Sequence, residues 1–390
     1  MKIAWFCIPA HGHTNPTLGL VKEMTEAGHQ VYYFSFAPFR EKIEQAGAVF
    51  IGCDGYGFEM EDKENVDRVG KDMAFAAELL VSSTLALDEM TSAWIDRIRP
   101  DLIVSDSVAY WGKLVARKHH LPYVSSTTTF AFNRYSSAYL KGGAGETARM
   151  LLSLPRISRQ LKRLRQRGYP VKSILDIVQN DNLTDAIVYT SKYFQPCSET
   201  FSERCHFVGP MLRPLERPFE KRAKKTVYIS LGTVDRDDAF YKRCIAALGG
   251  TEYQAVFSAG KDPGRFGDVP PNVEIYESVD QMAVLSVSDA FVTHCGMNSA
   301  SEALAYGVPL VLTPRTQEQG AVAKRTAELG AGVLLKGTGE GDILRAVNEV
   351  LWKNSYRECA GRVAASFRAC GGSAEAVSLL EAVARRAGRK

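Results

Sequence analysis

The chain has 390 residues, 45% of them hydrophobic and 24% charged, an ordinary globular balance that suggests two or perhaps three domains. A formal net charge of +4 is too small to argue for a nucleic-acid partner. Eight scattered cysteines (Cys7, Cys53, Cys197, Cys205, Cys244, Cys295, Cys359, Cys370) contain no C-x-x-C pair, which points away from both a zinc site and a disulfide framework.

Met1–Pro9 is too short for a secretory signal, and no apolar run approaches membrane-spanning length. A soluble, reduced, cytoplasmic protein with no integral membrane segment, a monomer or a weak dimer, is therefore expected. Ile3–Pro9 reads as a buried parallel strand and Ala10–Thr14 as a turn. Asn15–Ala27 reads as a helix, with Asn15 as N-cap and Pro16 in the first helical position. Strands follow at Gln30–Phe36 and Ala48–Cys53 around a helix at Pro38–Ala46, then a loop at Asp54–Val69. A long helix (Met73–Arg97), a strand (Asp101–Ser105), a helix (Ala109–Lys118) and a strand (Tyr123–Thr127) continue the alternation. This is the pattern of an open parallel sheet with right-handed crossovers. Thr128–Gln179 breaks it, being aromatic, then Gly-rich, then strongly basic at Arg156, Arg159, Lys162, Arg163, Arg165 and Arg167. That run is either a solvated helix face or a surface for an acidic acceptor or anionic lipid.

His11, Gly12 and His13 occupy the first strand–helix turn, where no G-x-G-x-x-G is present, so a dinucleotide oxidoreductase is not expected. The positive end of the following helix favours a neutral imidazole at His13, as a general base near neutral pH requires. Asp106 ends a strand of the same sheet, on the same rim, from where it can orient that imidazole and stabilise the imidazolium. The plainer alternative makes His13 a hydrogen-bonded turn residue and Asp106 a helix cap. His11 either supports His13 or touches an acceptor.

Ala186–Thr190 returns to strand, and Met211–Lys225, with its prolines and charges, reads as a linker. A second alternating series places strands at Thr226–Leu231, Gln254–Ala259, Val273–Tyr276, Ala290–Thr293, Val308–Thr313 and Gly332–Leu335. Helices are expected at Ile343–Lys353, Tyr356–Ala369 and Ser373–Arg385. The stretch Ala290–Gln319 carries the strongest chemistry. Strand, polar turn (His294 to Ser299), helix and strand form a βαβ unit whose turn lies at the carboxyl end of a strand. A helix beginning near Asn298 presents unpaired amides and partial positive charge to an anion. Gly296 permits close backbone approach, Asn298 and Ser299 offer capping or ligand hydrogen bonds, and His294 adds a donor. Glu302, one turn further on, is placed to accept from vicinal hydroxyls such as those of a ribose. No carboxylate cluster spaced to hold a divalent cation is evident, so metal independence is expected.

The block T-H-C-G-M-N-S-A-S-E, followed by G-V-P-L-V and P-R-T-Q-E-Q, resembles the donor signature of the UDP-dependent glycosyltransferases, most of all the bacterial macrolide- and flavonoid-modifying type. P-A-H-G-H-T-N-P, S-D-S-V-A-Y-W-G-K, F-V-G-P and S-L-G-T extend the resemblance over nearly the whole chain. It implies the GT-B architecture, two doubly wound Rossmann-like domains facing across a cleft. The boundaries read as an acceptor-binding domain at 1–212, a linker at 213–225, a donor-binding domain at 226–372 and a terminal helix (373–390) crossing back to the first. It implies an inverting transfer of a hexose, glucose first among them, from a UDP-sugar to a small, partly apolar acceptor. His13 matches the family's catalytic base and Asp106 its partner. Ser230, Gly232 and Thr233 resemble the turn beneath the phosphates, Met297 lies within the donor block, and Glu318 and Gln319 match the pair that binds sugar hydroxyls. The nucleotide sugar is a co-substrate, and no other cofactor is implied. Acceptor-pocket candidates are His11, Phe58, Phe75, Phe130, Phe132 and Tyr135, although aromatics at such places are as often core.

The chain departs from the family where the base-binding segment reads Ser278, Val279, Asp280, Gln281 in place of an aromatic or Arg followed by V-P-Q. Those changes leave thymine open beside uracil. Cys295 stands where a smaller residue is usual. A sugar-nucleotide epimerase or hydrolase of the same architecture, or a non-catalytic partner protein, remain as other readings.

Overall fold

The computed structural model describes residues 1–55, 73–139, 144–178, 180, 183–232 and 237–388. Two wholly parallel sheets are built from the apolar runs. The first holds β1 (Lys2–Phe6), β2 (Gln30–Ser35), β3 (Val49–Gly52), β4 (Leu102–Asp106), β5 (Tyr123–Thr127), β6 (Asp185–Val188) and β7 (Cys205–Phe207), in the order β3-β2-β1-β4-β5-β6-β7. Helices α1 (His11–Glu26), α2 (Arg40–Gln45), α3 (Met73–Ile98), α4 (Tyr110–Lys118), α5 (Ala144–Gln166) and α6 (Ile174–Val178) accompany it. The loop expected at Asp54–Val69 lies, beyond Gly55, outside the described residues.

Helices on both faces explain why the strands are continuous apolar runs rather than alternating ones. Ile3, Trp5 and Cys7 face one core with Leu20, Val21 and Met24 of α1, while Ala4 and Phe6 face another with Leu87 of α3 and Trp111 of α4. Each such large apolar side chain stabilises the fold by about 1.5–3 kcal/mol on burial, so β1 and its neighbours form a stiff base for the loops above them. Gly112 lets α4 rest directly on this base: a Cβ there would lie 2.3 Å from Ser105 Oγ and 2.8 Å from Phe6 Cβ.

Helix α1 differs from expectation. It starts at His11 after an Ala10 N-cap that makes no side-chain cap bond, and Pro16 lies inside it rather than at its first position. The amides of His13 and Thr14 both bond the Ala10 carbonyl, so the turn expected at Ala10–Thr14 is already helix. The basic segment buries Ile157, Leu161 and Leu164 of α5 in a cluster with Leu80 and Val81 of α3, and Arg156 pairs with Glu78 at 2.8 Å.

The second sheet holds β8 (Thr226–Ser230), β9 (Gln254–Ser258), β10 (Val273–Tyr276), β11 (Ala290–Thr293), β12 (Leu310–Leu312) and β13 (Gly332–Leu334), in the order β10-β9-β8-β11-β12-β13. Its helices are α7 (Asp238–Leu248), α8 (Gln281–Val287), α9 (Met297–Ala305), α10 (Gln317–Glu328), α11 (Glu340–Trp352) and α12 (Asn354–Arg368), and the chain closes with α13 (Gly372–Gly388). The chain divides into two units: Met1–Tyr189, Cys197–Met211 and Gly371–Lys390 form the first, Thr190–Pro196 and Leu212–Cys370 the second. Helix α13 thus belongs to the first unit, where Ala376, Leu380 and Val383 join the core beneath α1. The segment expected as a linker is bound into the second unit. Lys221 and Lys225 pair with Asp289 at 2.8 and 3.3 Å, and the Gln254 amide donates to the Glu220 carbonyl at 3.0 Å. Among the described residues no helix is long and apolar enough to cross a membrane.

Candidate active site

In each sheet the chain first winds to one side of a central strand and then returns to the other side. The reversal lies between β1 and β4 in the first sheet and between β8 and β11 in the second. Open parallel sheets bind ligands outside the carboxyl ends of their strands at such points, because the two adjoining loops diverge there and leave a crevice.

At the first reversal His13 stands in the opening turn of α1, and Asp106 ends β4, one residue beyond the Phe6–Ser105 pairing of β1 and β4. His13 Nδ1 and Asp106 Oδ2 are 2.7 Å apart. The carboxylate is 1% exposed, and its other oxygen accepts the Val108 amide at 3.0 Å. A buried carboxylate that accepts only holds the proton of the imidazole on Nδ1 and leaves Nε2 as the basic nitrogen. The negative charge is felt nearby: burial, and then the charge of Asp106, pushes the Tyr110 phenol up to about 12. Thr128, just beyond β5, places its hydroxyl 3.0 Å from the same Nδ1. Sequence reasoning passes over Thr128, since one hydroxyl in the run Thr127–Thr129 looks like any strand-end cap.

The acceptor candidates are scattered in character. His11 sets its ring edge against Phe39, with centroids 4.9 Å apart. Phe130 is a core side chain at 1% exposure, Phe75 and Phe132 are half-buried, and Tyr135 is exposed beneath the Arg134 guanidinium. Phe58 lies outside the described residues, as does Thr233 of the second unit.

At the second reversal α9 begins at Met297 with Gly296 as N-cap, one residue before the start expected at Asn298. Asn298 and Ser299 therefore sit within the first turn and do not cap it. The Ala300 amide bonds the Gly296 carbonyl, so the helix opens with its first amides directed out of its amino end. That end attracts anions. His294 follows β11, and its ring lies between two glycines. A Cβ on Gly232 (φ +79°) would come 2.7 Å from its Cε1, and a Cβ on Gly296 would come 2.8 Å from its Nε2. On the side where a Cβ would stand, the space at Gly296 holds the His294 imidazole. Cys295 takes a left-handed φ of +69°, rare for a residue with a side chain, and buries a thiol that burial pushes up.

The structure brings Gln281, Ser299 and Glu302 together from separate motifs. Gln281 Nε2 donates to Ser299 Oγ at 3.3 Å and to Glu302 Oε2 through a short bond. Burial raises the Glu302 carboxyl, with the Gln281 bond and the Arg213 charge opposing. Val279 precedes this group half-buried, and Asp280 caps α8 by accepting the Met282 amide. Ser230 is buried and accepts the Gly232 amide at 3.3 Å, which shapes the turn from within. Glu318 and Gln319 open α10. Gln319 closes a capping box there, its side-chain oxygen accepting the amides of Arg315 and Thr316 at 2.8 and 3.1 Å. Arg315 pairs with Asp237, the N-cap of α7, at 2.8 Å. Among the described residues no three His, Cys, Asp or Glu side chains converge as a metal-ligand set.

Comparison with known proteins agrees with this architecture. Residues 245–383 match the family model described as erythromycin biosynthesis protein CIII-like, C-terminal domain. The chain is 35% identical over 341 residues to the NDP-glycosyltransferase YjiC of Bacillus subtilis (strain 168), covering 85% of this chain and 84% of that one. It is 31% identical over 402 residues to demethyllactenocin mycarosyltransferase of Streptomyces fradiae, covering 97% and 86%. The crystal structure of CalG4, the calicheamicin glycosyltransferase, superposes with a TM-score of 0.83 at 28% identity, over 99% of this chain and 98% of that one. The chain is a glycosyltransferase of the GT-B fold and belongs to family 1 of the UDP-dependent glycosyltransferases, in their macrolide-type branch.

Proposed function

We propose that this enzyme moves a hexose, glucose in the simplest case, from a UDP-sugar to a hydroxyl of a small, partly apolar natural product, with inversion at the anomeric carbon and without a metal ion. The observation that carries this reading is the 2.7 Å contact between His13 and the buried Asp106 at a sheet reversal. The acceptor hydroxyl gives its proton to His13 Nε2 while its oxygen bonds the anomeric carbon and the bond to the diphosphate breaks. Asp106 stabilises the imidazolium that results. The departing UDP carries away the electron pair, and its charge is met by the first amides of α9 and by His294. Glu302 accepts from the ribose hydroxyls, while Glu318 and the Gln319 nitrogen serve the sugar. No cofactor beyond the nucleotide sugar takes part.

The test is a reaction panel of UDP-glucose and dTDP-glucose against phenolic and macrolide acceptors, followed by mass spectrometry and by NMR of the product's anomeric centre. The dTDP arm is included because Ser278 and Asp280 replace the usual base-binding residues. A β-glucoside formed from the α-linked donor, at a rate unchanged by EDTA, supports the reading. Altered nucleotide sugar without a glucoside, or retained configuration, overturns it.

A further inference from the structure

We propose that Tyr228, in the interior of the second unit, is a positioning residue for the donor: it sets the orientation of the Gln281 amide, and through that amide the Glu302 carboxylate. The inference rests on the reading of the second sheet reversal as the nucleotide-sugar site. Tyr228 lies on β8 with 1% exposure, its ring stacked on Phe291 of β11 at a centroid distance of 4.7 Å and 13° between planes. Its hydroxyl donates to Gln281 Oε1 at 3.3 Å. The other end of that amide donates to Ser299 and Glu302.

The donor–acceptor logic permits one arrangement while Glu302 is ionised. A carboxylate only accepts, so the amide nitrogen must face it, and the amide oxygen must then face a donor. Burial pushes the Tyr228 phenol well up, so it keeps its proton and supplies that donor. Replacing the phenol by a phenyl ring preserves the stacking on Phe291 but removes the donor. The amide oxygen then lacks this donor and the side chain is held at its nitrogen end alone, so its bond to Glu302 is less well aimed. The charged and titratable groups around Glu302 are Arg213, which favours its ionised form, Asp280, which opposes it, and Tyr306, which feels its charge. None of these replaces a donor on the far side of Gln281.

Tyr228→Phe is expected to weaken UDP binding and raise the donor KM about five- to tenfold, the worth of one neutral hydrogen bond, with kcat unchanged. Its acid limb of donor KM against pH should move to higher pH, because the Gln281 bond that lowers the Glu302 carboxyl is no longer held. A loss of packing alone would lower the melting temperature without moving that limb. In a double-mutant cycle, Tyr228→Phe should cost nothing further once Gln281→Ala is present. Wild-type UDP affinity with an unshifted limb, or additive losses in the cycle, overturns the inference. Failure of the donor-site reading looks different: the wild-type chain itself binds neither UDP nor dTDP, and this inference falls with it.

Discussion

Each chain reversal carries a histidine, His13 in the helix that follows β1 of the first sheet and His294 directly after β11 of the second, and the two have different surroundings. His13 is held by a partner, the Asp106 carboxylate at 2.7 Å. His294 fills the space left by the missing side chains of Gly232 and Gly296, beside its Cε1 and its Nε2. A carboxylate behind an imidazole makes its far nitrogen more basic and stabilises the protonated form, which suits proton abstraction. A ring wedged between glycines beside a helix N-terminus is fixed in place and stands where an anion collects. The same side chain thus serves different chemistry according to what surrounds it, and this difference can be broken from either side.

The largest effect is expected at the first histidine. His13→Ala should lower kcat by about 10²–10⁴, the usual range for a positioned general base, and Asp106→Asn should approach it by misorienting the ring. Transfer followed by mass spectrometry checks this; rates within a few-fold of wild type would dissolve the distinction. At the second histidine, Gly296→Ala should weaken UDP binding by about tenfold or more as the new methyl displaces the ring, a loss on the scale of a charge-assisted hydrogen bond. Gly232→Ala should do at least as much, because its φ of +79° adds about 1–2 kcal/mol of strain to the clash. Calorimetric titration with UDP reads both, and unchanged affinity would show that the glycines do not hold the imidazole.

The comparison sharpens with pH. Burial raises the Glu302 carboxyl above its ordinary value. In the proposed reading the ionised form accepts from the ribose, so donor affinity is expected above that raised value and should fall away as pH drops through it, at a higher pH than for an exposed glutamate. The stability consequence runs the other way. A carboxyl raised in the folded state favours folding when protonated, and that contribution is lost as pH rises through the folded pKa. Glu302→Gln should therefore hold or raise the melting temperature at neutral pH while weakening UDP binding, and a fall in both would contradict the assignment. The smallest effect is expected for Thr128→Ala, about a two- to fivefold fall in kcat, since Asp106 alone still holds Nδ1; a loss as large as that of Asp106→Asn would make Thr128 an equal partner.

Much of this was legible in the chain. Parallel strands flanked by helices read as plain apolar runs, so every strand but the short β7 stands where a Val-, Ile- or Phe-rich segment places it, and the motif at Thr293–Glu302 starts at a strand end. The helix starts were less legible, for a physical reason. Both α1 and α9 follow caps without a capping side chain, Ala10 and Gly296, so the usual polar cap signal pointed instead to Asn15 and Asn298. The residues that support the candidate sites were invisible for another reason. Tyr228 reads as one more core aromatic of β8 and Thr128 as one more hydroxyl, and their roles appear only when distant segments meet. Gln319 shows the converse: a motif residue whose oxygen also caps its own helix.

The most direct test of the contrast between the two histidines is a paired measurement on His13→Ala and Gly296→Ala, with UDP affinity by calorimetry and the transfer rate taken on the same samples. The account predicts opposite defects. His13→Ala binds UDP as wild type does and turns over at least a hundredfold more slowly, in keeping with the lower bound for a lost general base. Gly296→Ala loses UDP affinity first and recovers much of its rate at saturating donor. Near-normal turnover in His13→Ala, or loss of UDP binding in that variant alone, would contradict it.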